Sequence, residues 1–297
     1  SYPGAVSLFV KDTAALSKYK KNLIVYGNTN YKKKFPIKYS NIPLSNFRFK
    51  SKSKQYVEKF ILNEKANPSD LIEVHNRPNY LSEIVNSLGK KNLVLYFHND
   101  PLTMSGSKSI NERKYLLKIC YKIIFNSNWS KKRFLEGMQN KFVNSEKLLV
   151  VFQSAKKINI IPKNKKKEIT FVGKLNRSKG YDLFGKAVLK ILKKYPDWKA
   201  YVAGDEPRDK IDFNHKRLFK LGFVKHSEII NLYKKSSIAV VCSRWEEPFG
   251  RTSLEASANG CAVIISNRGG LPETLTNGVI LKHLTAKQIY ERIVNLI

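Results

Sequence analysis

The sequence predicts an α/β protein built as two successive units, each a parallel sheet covered by helices. Three observations lead there. Short apolar runs of strand length alternate with helical patterns along both halves of the chain. The 297 residues exceed what one small core needs and suit two sheets of ordinary size. A polar, lysine-rich stretch at residues 156–168 interrupts the alternation.

Taken in order, Ser1-Tyr2-Pro3-Gly4 reads as a loop entering a helix over about residues 6–19, with room for a strand ahead of Ser1. Residues 22–26, 71–74, 93–97 and 122–126 are apolar runs of the kind found in strands buried on both faces, and residues 148–152 are one more. Pro162 and the run Lys163, Lys165, Lys166 and Lys167 then mark a linker. The expected division is a first domain over 1–155, a linker over 156–168 and a second domain over 169–297. In the second domain, strands are expected at 169–172, 199–203, 238–242 and 262–266, and helices at 182–195, 227–234, 252–259 and 286–297. No short-period repeat is present; only the architecture recurs.

Lys and Arg outnumber Asp and Glu by 55 to 23, a formal charge of +32. Nucleic acid, anionic lipid and phosphorylated small molecules all offer the complementary charge. Nucleic acid is the weakest of the three, because the basic residues spread over both halves with no RNA-recognition aromatic pair, zinc-finger spacing or basic heptad array. Residues 13–57 carry eleven basic side chains and no acid, which suits either a solvated surface or a face docking on anionic lipid. Cys120, Cys242 and Cys261 sit far apart in apolar contexts, neither a disulfide framework nor metal-ligand spacing, so a reducing compartment and no metal site are expected. No apolar run approaches the roughly 18 residues that span a bilayer.

Two stretches carry chemistry. The first is Arg244-Trp245-Glu246-Glu247-Pro248-Phe249-Gly250-Arg251-Thr252-Ser253-Leu254-Glu255, between an expected strand and an expected helix. Ligands gather at the carboxyl ends of parallel strands, and helix N-termini suit phosphate oxygens. Gly250 permits close backbone approach and Arg251 adds positive charge. Glu247 and Glu255 face one crevice as hydrogen-bond acceptors for sugar hydroxyls, although Glu255 also fits as an acid that complements the helix dipole. The second is Phe171-Val172-Gly173-Lys174-Leu175-Asn176-Arg177-Ser178-Lys179-Gly180, where Lys174 and Lys179 are placed to meet a diphosphate. A departing nucleoside diphosphate gains charge as its bond to the sugar breaks, so fixed cations favour the transition state. The glycine and lysine spacing is not that of a P-loop. In the first half, His98-Asn99-Asp100-Pro101 and His75-Asn76-Arg77-Pro78 each follow an expected strand, as does Asn126-Ser127.

Together, residues 173–180, Ala203-Gly204-Asp205, Leu221-Gly222-Phe223, residues 247–255 and Gly269-Gly270-Leu271-Pro272-Glu273 resemble glycosyltransferase family 4, the glycosyl transferases group 1. The resemblance implies a GT-B fold, two Rossmann-like domains with parallel sheets facing a central cleft. It implies retaining, metal-independent transfer of a hexose-type sugar from a nucleotide-diphosphate sugar, a UDP-sugar ahead of a GDP-sugar, with no cofactor.

Residue by residue, it assigns Glu247 to the donor sugar's hydroxyls and Glu255 to the ribose. Phe249, Gly250, Arg251 and Thr252 lie by sugar and phosphate, Gly173, Lys174 and Lys179 by the diphosphate, and Phe223 and Val224 by the base. His98 joins Lys174, Lys179 and Glu247 among the catalytic residues. Gly4 matches a glycine near the donor phosphate, and His75, Asn76 and Arg77 match an acceptor-side loop. Three positions depart from the pattern: Lys174 stands for an Arg and loses bidentate geometry, Ala5 for a second glycine, and Gln153-Ser154-Ala155 for an Asn-Gly pair. The expected acceptor is a lipid-linked or surface-polysaccharide glycan, as in lipopolysaccharide synthesis, met in the cytoplasm or peripherally on the inner membrane face through residues 13–57. Relatives continue past the point matching Ile297, so a chain trimmed at both ends is expected. A GT-B sugar-nucleotide epimerase and a basic nucleic-acid-binding protein are the alternative readings.

Overall fold

The computed structural model describes residues 4–29, 37–46, 50–89, 92–139, 142, 145–159 and 164–297. Lys32, Lys33, Lys34 and Arg48 of the basic stretch, and Pro162 and Lys163 of the expected linker, lie outside them. The chain divides into two compact units, one of Ser1–Asn126 with Ser130–Val151 and one of Ser127–Trp129 with Phe152–Ile297. The main division therefore falls after Val151 and not at 155.

In chain order the first part holds α1 (Ala5–Leu16), β1 (Ile24–Gly27), β2 (Lys38–Asn41), α2 (Lys52–Ala66), β3 (Leu71–His75), α3 (Leu81–Leu88), β4 (Asn92–Phe97), α4 (Ile110–Ile119), β5 (Lys122–Phe125), α5 (Asn128–Leu135) and β6 (Leu148–Val150). Strands β3, β4, β5 and β6 form one parallel sheet in that order. Leu93, Val94, Leu95, Tyr96 and Phe97 are all buried, so β4 is covered on both faces. The Tyr96 hydroxyl, carried into the interior by this burial, donates to the Val151 carbonyl at 2.7 Å. Val57 and Ile61 of α2, Leu81 and Ile84 of α3 and Leu116 of α4 pack the sheet. Ser109 and Glu112 close a reciprocal capping box at the start of α4.

The strand expected near residues 22–26 is present as β1, but it pairs in parallel with β2 alone, in a separate two-stranded sheet. Its residues are only partly buried, with Ile24 38% exposed, so it lacks the two-sided cover of the main sheet. The strand expected over 148–152 stops at Val150.

The second part holds β7 (Lys166–Val172), α6 (Tyr181–Lys194), β8 (Lys199–Ala203), β9 (Leu218–Lys220), α7 (His226–Lys235), β10 (Ser236–Val241), α8 (Arg251–Ala258), β11 (Ala262–Ser266), β12 (Val279–Leu281) and α9 (Ala286–Val294). Its six strands are all parallel and run β12-β11-β10-β7-β8-β9 across the sheet. Counted from β7, this is the 3-2-1-4-5-6 order of a doubly wound sheet, read from its other edge, and it reverses between β7 and β10. On one face Phe184, Val188, Ile191 and Leu192 of α6 meet Ile289 and Ile293 of α9. On the other, Tyr233 of α7 and Ala256 of α8 cover Val263 and Ile265.

The expected linker over 156–168 is corrected at its end, because Lys166, Lys167 and Glu168 already belong to β7. Lys165 is tied inward: its ammonium donates to the carbonyls of Tyr233 (2.6 Å), Ser236 (2.9 Å) and Asn259 (2.6 Å), at the C-terminal ends of α7 and α8. A cation there meets the negative end of both helix dipoles. All three cysteines are free and buried. Burial pushes the Cys120 and Cys242 thiols up to about 12 and that of Cys261 up to about 11. Among the described residues no helix is long and apolar enough to cross a membrane.

Candidate functional site

Reversal of strand order opens a crevice beyond the carboxyl ends of β7 and β10, and both sequence-singled loops begin there. They are bound to each other. The Ser178 carbonyl accepts from the Arg244 and Trp245 amides at 2.8 and 3.1 Å, and the Arg244 guanidinium grips both Asp182 oxygens at 2.7 and 2.8 Å. Asn176 Oδ1 accepts from the Lys179 amide at 3.0 Å, capping the short turn that carries Lys179. From that turn Lys179 Nζ reaches Glu247 Oε1 at 2.5 Å. The cation and the carboxylate thus meet across the switch point.

The backbone of Glu247 is held from a third segment. Gly270 N donates to the Glu247 carbonyl at 2.7 Å, and Gly269 N donates to Glu246 Oε2 at 2.5 Å. Gly269 has φ +60°, and a Cβ on it would stand 2.2 Å from the Glu247 carbonyl oxygen, so only glycine allows this approach. Gly250, with φ +120°, ends the loop and starts α8 without a side-chain cap. A Cβ on Gly250 would meet Leu271 Cδ1 at 2.3 Å. The first amides of α8 are therefore the kind of donors that suit an anion.

Phe249 is buried and stacks on Phe152 with ring centroids 6.0 Å apart. Arg251 and Thr252, in the first turn of α8, are partly buried. Glu255 is 4% exposed, and its Oε1 receives Arg251 Nε at 2.6 Å and His226 Nε2 at 2.9 Å. Arg251, expected beside a phosphate, is thus an ion-pair partner of Glu255 four residues on. Phe223 is 62% exposed and Val224 partly buried, just past β9 at the same edge of the sheet. Gly173 donates to the Ala203 carbonyl, and Lys174 projects outward.

Sequence reasoning missed two members of this edge, His226 and Glu206. His226 opens α7 two residues after Val224, and only its contact with Glu255 marks it out. Glu206 follows Ala203-Gly204-Asp205. The Arg208 guanidinium hydrogen-bonded to it, helped by the Lys174 charge, holds its carboxyl down at about 2.

In the first unit, His98 is buried at the end of β4 and touches His75 at the end of β3: His98 Nε2 lies 2.9 Å from His75 Nδ1. His75 Nε2 in turn lies 2.7 Å from Glu73 Oε1. Burial, then the neighbouring His75, lowers the His98 imidazole to about 3, so it is neutral at ordinary pH. Its ring stacks on Tyr96 at 4.4 Å and meets the edge of Phe9 from α1 at 4.9 Å. Asn76 adopts φ +56° and is 5% exposed; its Oδ1 accepts from the His98 and Asn99 amides at 2.8 and 3.1 Å. Arg77 Nη1 donates to the Asn76 carbonyl at 2.9 Å. His75 and Asn76, expected to face an acceptor, are therefore bonded to the His98 segment. Gly4 is the exposed N-cap of α1, and a Cβ there would meet nothing within 4 Å. Among the described residues no three His, Cys, Asp or Glu side chains converge as metal ligands.

Residues 153–297 match the family described as glycosyl transferases group 1. Over 149 residues, 44% of this chain, the sequence is 34% identical to spore coat protein SA of Bacillus subtilis, covering 40% of that protein. Over 123 residues, 38% of this chain, it is 32% identical to the lipopolysaccharide core biosynthesis mannosyltransferase LpsB of Rhizobium meliloti, covering 35% of it. The chain thus spans well under half the length of these curated relatives. Among solved structures, Anabaena Alr3699/HepE in complex with UDP and glucose superimposes with a TM-score of 0.74 at 19% identity, covering 99% of this chain and 86% of that one.

Proposed function

Given that the chain, through residues 153–297, belongs to the glycosyl transferases group 1 family and that its two parallel-sheet units have the GT-B fold, we propose that it moves a hexose-type sugar from a nucleotide-diphosphate donor to an acceptor hydroxyl. The observation that carries this reading is the Lys179–Glu247 pair at the switch point of the six-stranded sheet, beside the uncapped start of α8. A carboxylate there accepts from sugar hydroxyls, and the cation neutralises charge developing on the leaving diphosphate. Lys174 supplies a second, exposed cation, and the α8 amides at Gly250, Arg251 and Thr252 supply donors to the phosphates. Glu255, held by Arg251 and His226, takes the ribose, and Phe223 with Val224 the base. His98 acts at the donor sugar.

The step proceeds with retention by front-face attack: the acceptor oxygen bonds to the anomeric carbon as the bond to the diphosphate oxygen breaks, and the acceptor proton passes to that departing oxygen. A UDP-sugar is the first choice of donor, a choice supported by the UDP and glucose held by the HepE structure. The acceptor is a lipid-linked or surface glycan, supported by the likeness to a lipopolysaccharide mannosyltransferase and by the acid-free basic stretch at residues 13–57.

The test is UDP release from UDP-glucose, run beside GDP-mannose, with Lys179→Ala and Glu247→Ala. Release from UDP-glucose is expected, with losses of about 100-fold or more in each variant while both stay folded. Turnover unchanged in the two variants, or release from neither donor, would sink the assignment.

A further inference from the structure

Glu73, His75 and His98 form a hydrogen-bonded line running from an exposed carboxylate to a buried imidazole, with separations of 2.7 and 2.9 Å. An ionised carboxylate only accepts, so His75 Nε2 carries the proton that faces Glu73. With His75 neutral, its lone pair is on Nδ1 and faces His98 Nε2. The hydrogen bond between the rings is satisfied only when His98 Nε2 carries hydrogen, which leaves the lone pair of a neutral His98 on Nδ1.

The surroundings fix the rings as well as the protons. His75 and Tyr96 stack at 5.5 Å, Tyr96 and His98 at 4.4 Å, and Phe9 closes on His98 from α1. Asn76 fixes the His98 backbone from one side, and Asn126 Nδ2 donates to the His98 carbonyl at 3.0 Å from the other.

From this geometry we infer that Glu73 and His75 are positioning residues that hold His98 in its Nε2–H tautomer. Its bearing on transfer rests on the role proposed above for His98. His75 is then no acceptor ligand. Both of its nitrogens are engaged, and it acts on the reaction only through the neighbouring ring.

The test reads the tautomer directly. In the full chain, 15N-edited imidazole spectra near neutral pH, with His98 assigned by comparison with His98→Asn, are expected to show Nε2 protonated and Nδ1 bare. His75→Phe keeps a flat ring and removes the acceptor; His98 is expected to become a mixture of tautomers, and UDP-glucose hydrolysis to lose roughly 10-fold in kcat at little-changed KM. His75→Asn places an amide oxygen near the lost Nδ1 and is expected to restore both. Glu73→Leu, at a partly exposed site that does not threaten folding, is expected to loosen the tautomer in the same direction. A His98 that is Nδ1-protonated in the unaltered chain, or that keeps its tautomer in both His75→Phe and Glu73→Leu, overturns the inference. The spectra do not depend on turnover, so expected tautomer changes in a chain that hydrolyses neither UDP-glucose nor GDP-mannose uphold the positioning and refute the transferase reading instead.

Discussion

At the scale of single residues, environment and not residue type decides what the charged groups do. Lys179 meets Glu247 with both side chains partly shielded, whereas Lys174, one of the same expected cation pair, is exposed. A lysine has three donors, so a diphosphate oxygen can join Glu247 on Lys179 without breaking the pair. His98 shows the reverse effect: burial keeps it uncharged. Because its folded pKa of about 3 lies below the ordinary value near 6.5, the unfolded chain binds its proton more readily than the folded one. Stability is therefore full above about pH 6.5 and is lost as pH falls from there toward 3, by up to about 1.4 kcal/mol per unit. Urea melts at pH 7.5 and pH 5.5 are expected to show this loss in the unaltered chain and a smaller one in His98→Gln. An equal loss in both would remove His98 as the cause.

At the scale of elements, the apolar runs were legible in the sequence as strands, including β3 and β6 at the margins of the first sheet, whereas β2, β9 and β12 were not. Phe171, Val202, Val240 and Ile264 lie in apolar runs covered on both faces, and each run was read as a strand. β2, β9 and β12 are three or four residues long with mixed burial, so their pattern does not differ from loop. The two loops that meet at the switch point were legible because Gly250, Glu247 and Lys179 are chemically distinctive at fixed spacing. His226 was not, since its partner Glu255 lies 29 residues on, and Glu206 was not, since its pairing with Arg208 two residues on looks like any ion pair in a charged loop. Lys165 is the sharpest misreading: a lysine run looks like linker until one ammonium closes two helices. Lys165→Met would leave three carbonyls short of a donor and is expected to cost about 2 kcal/mol or more in denaturant melts. Gly250→Ala combines a positive φ with a Cβ 2.3 Å from Leu271, and is expected to destabilise by roughly 1–3 kcal/mol while also lowering UDP-glucose turnover. A Gly250→Ala chain as stable as the parent would show that α8 can start in another conformation.

At the scale of the whole molecule, a formal charge of +32 attracts every polyanion, so binding to one is informative only when its source is resolved by residue. The described part of the acid-free stretch offers a defined patch. Lys18, Lys20 and Lys21 are exposed, and between and beside them stand Leu16, 87% exposed, and Tyr19, 63% exposed. Cations beside an exposed leucine and tyrosine suit a lipid surface better than open water, since the charges meet headgroups while the apolar side chains enter the interface. Near an anionic surface each Lys contributes about 1 kcal/mol. Vesicles containing phosphatidylserine are therefore expected to bind the chain at low salt, with phosphatidylcholine vesicles as the neutral control. Replacing Lys18, Lys20 and Lys21 by Ala removes about 3 kcal/mol, and each 1.4 kcal/mol is tenfold, so affinity is expected to fall about 100-fold. Leu16→Ser is expected to weaken binding even at raised salt, where the Debye length shrinks and the charge contribution fades. UDP release from UDP-glucose is expected to survive all of these changes when measured without vesicles, because none of these residues is among those assigned to the donor. If the triple variant binds anionic vesicles as tightly as the parent, the attraction is general to the charge of the chain and the patch has no part in meeting a membrane-borne acceptor.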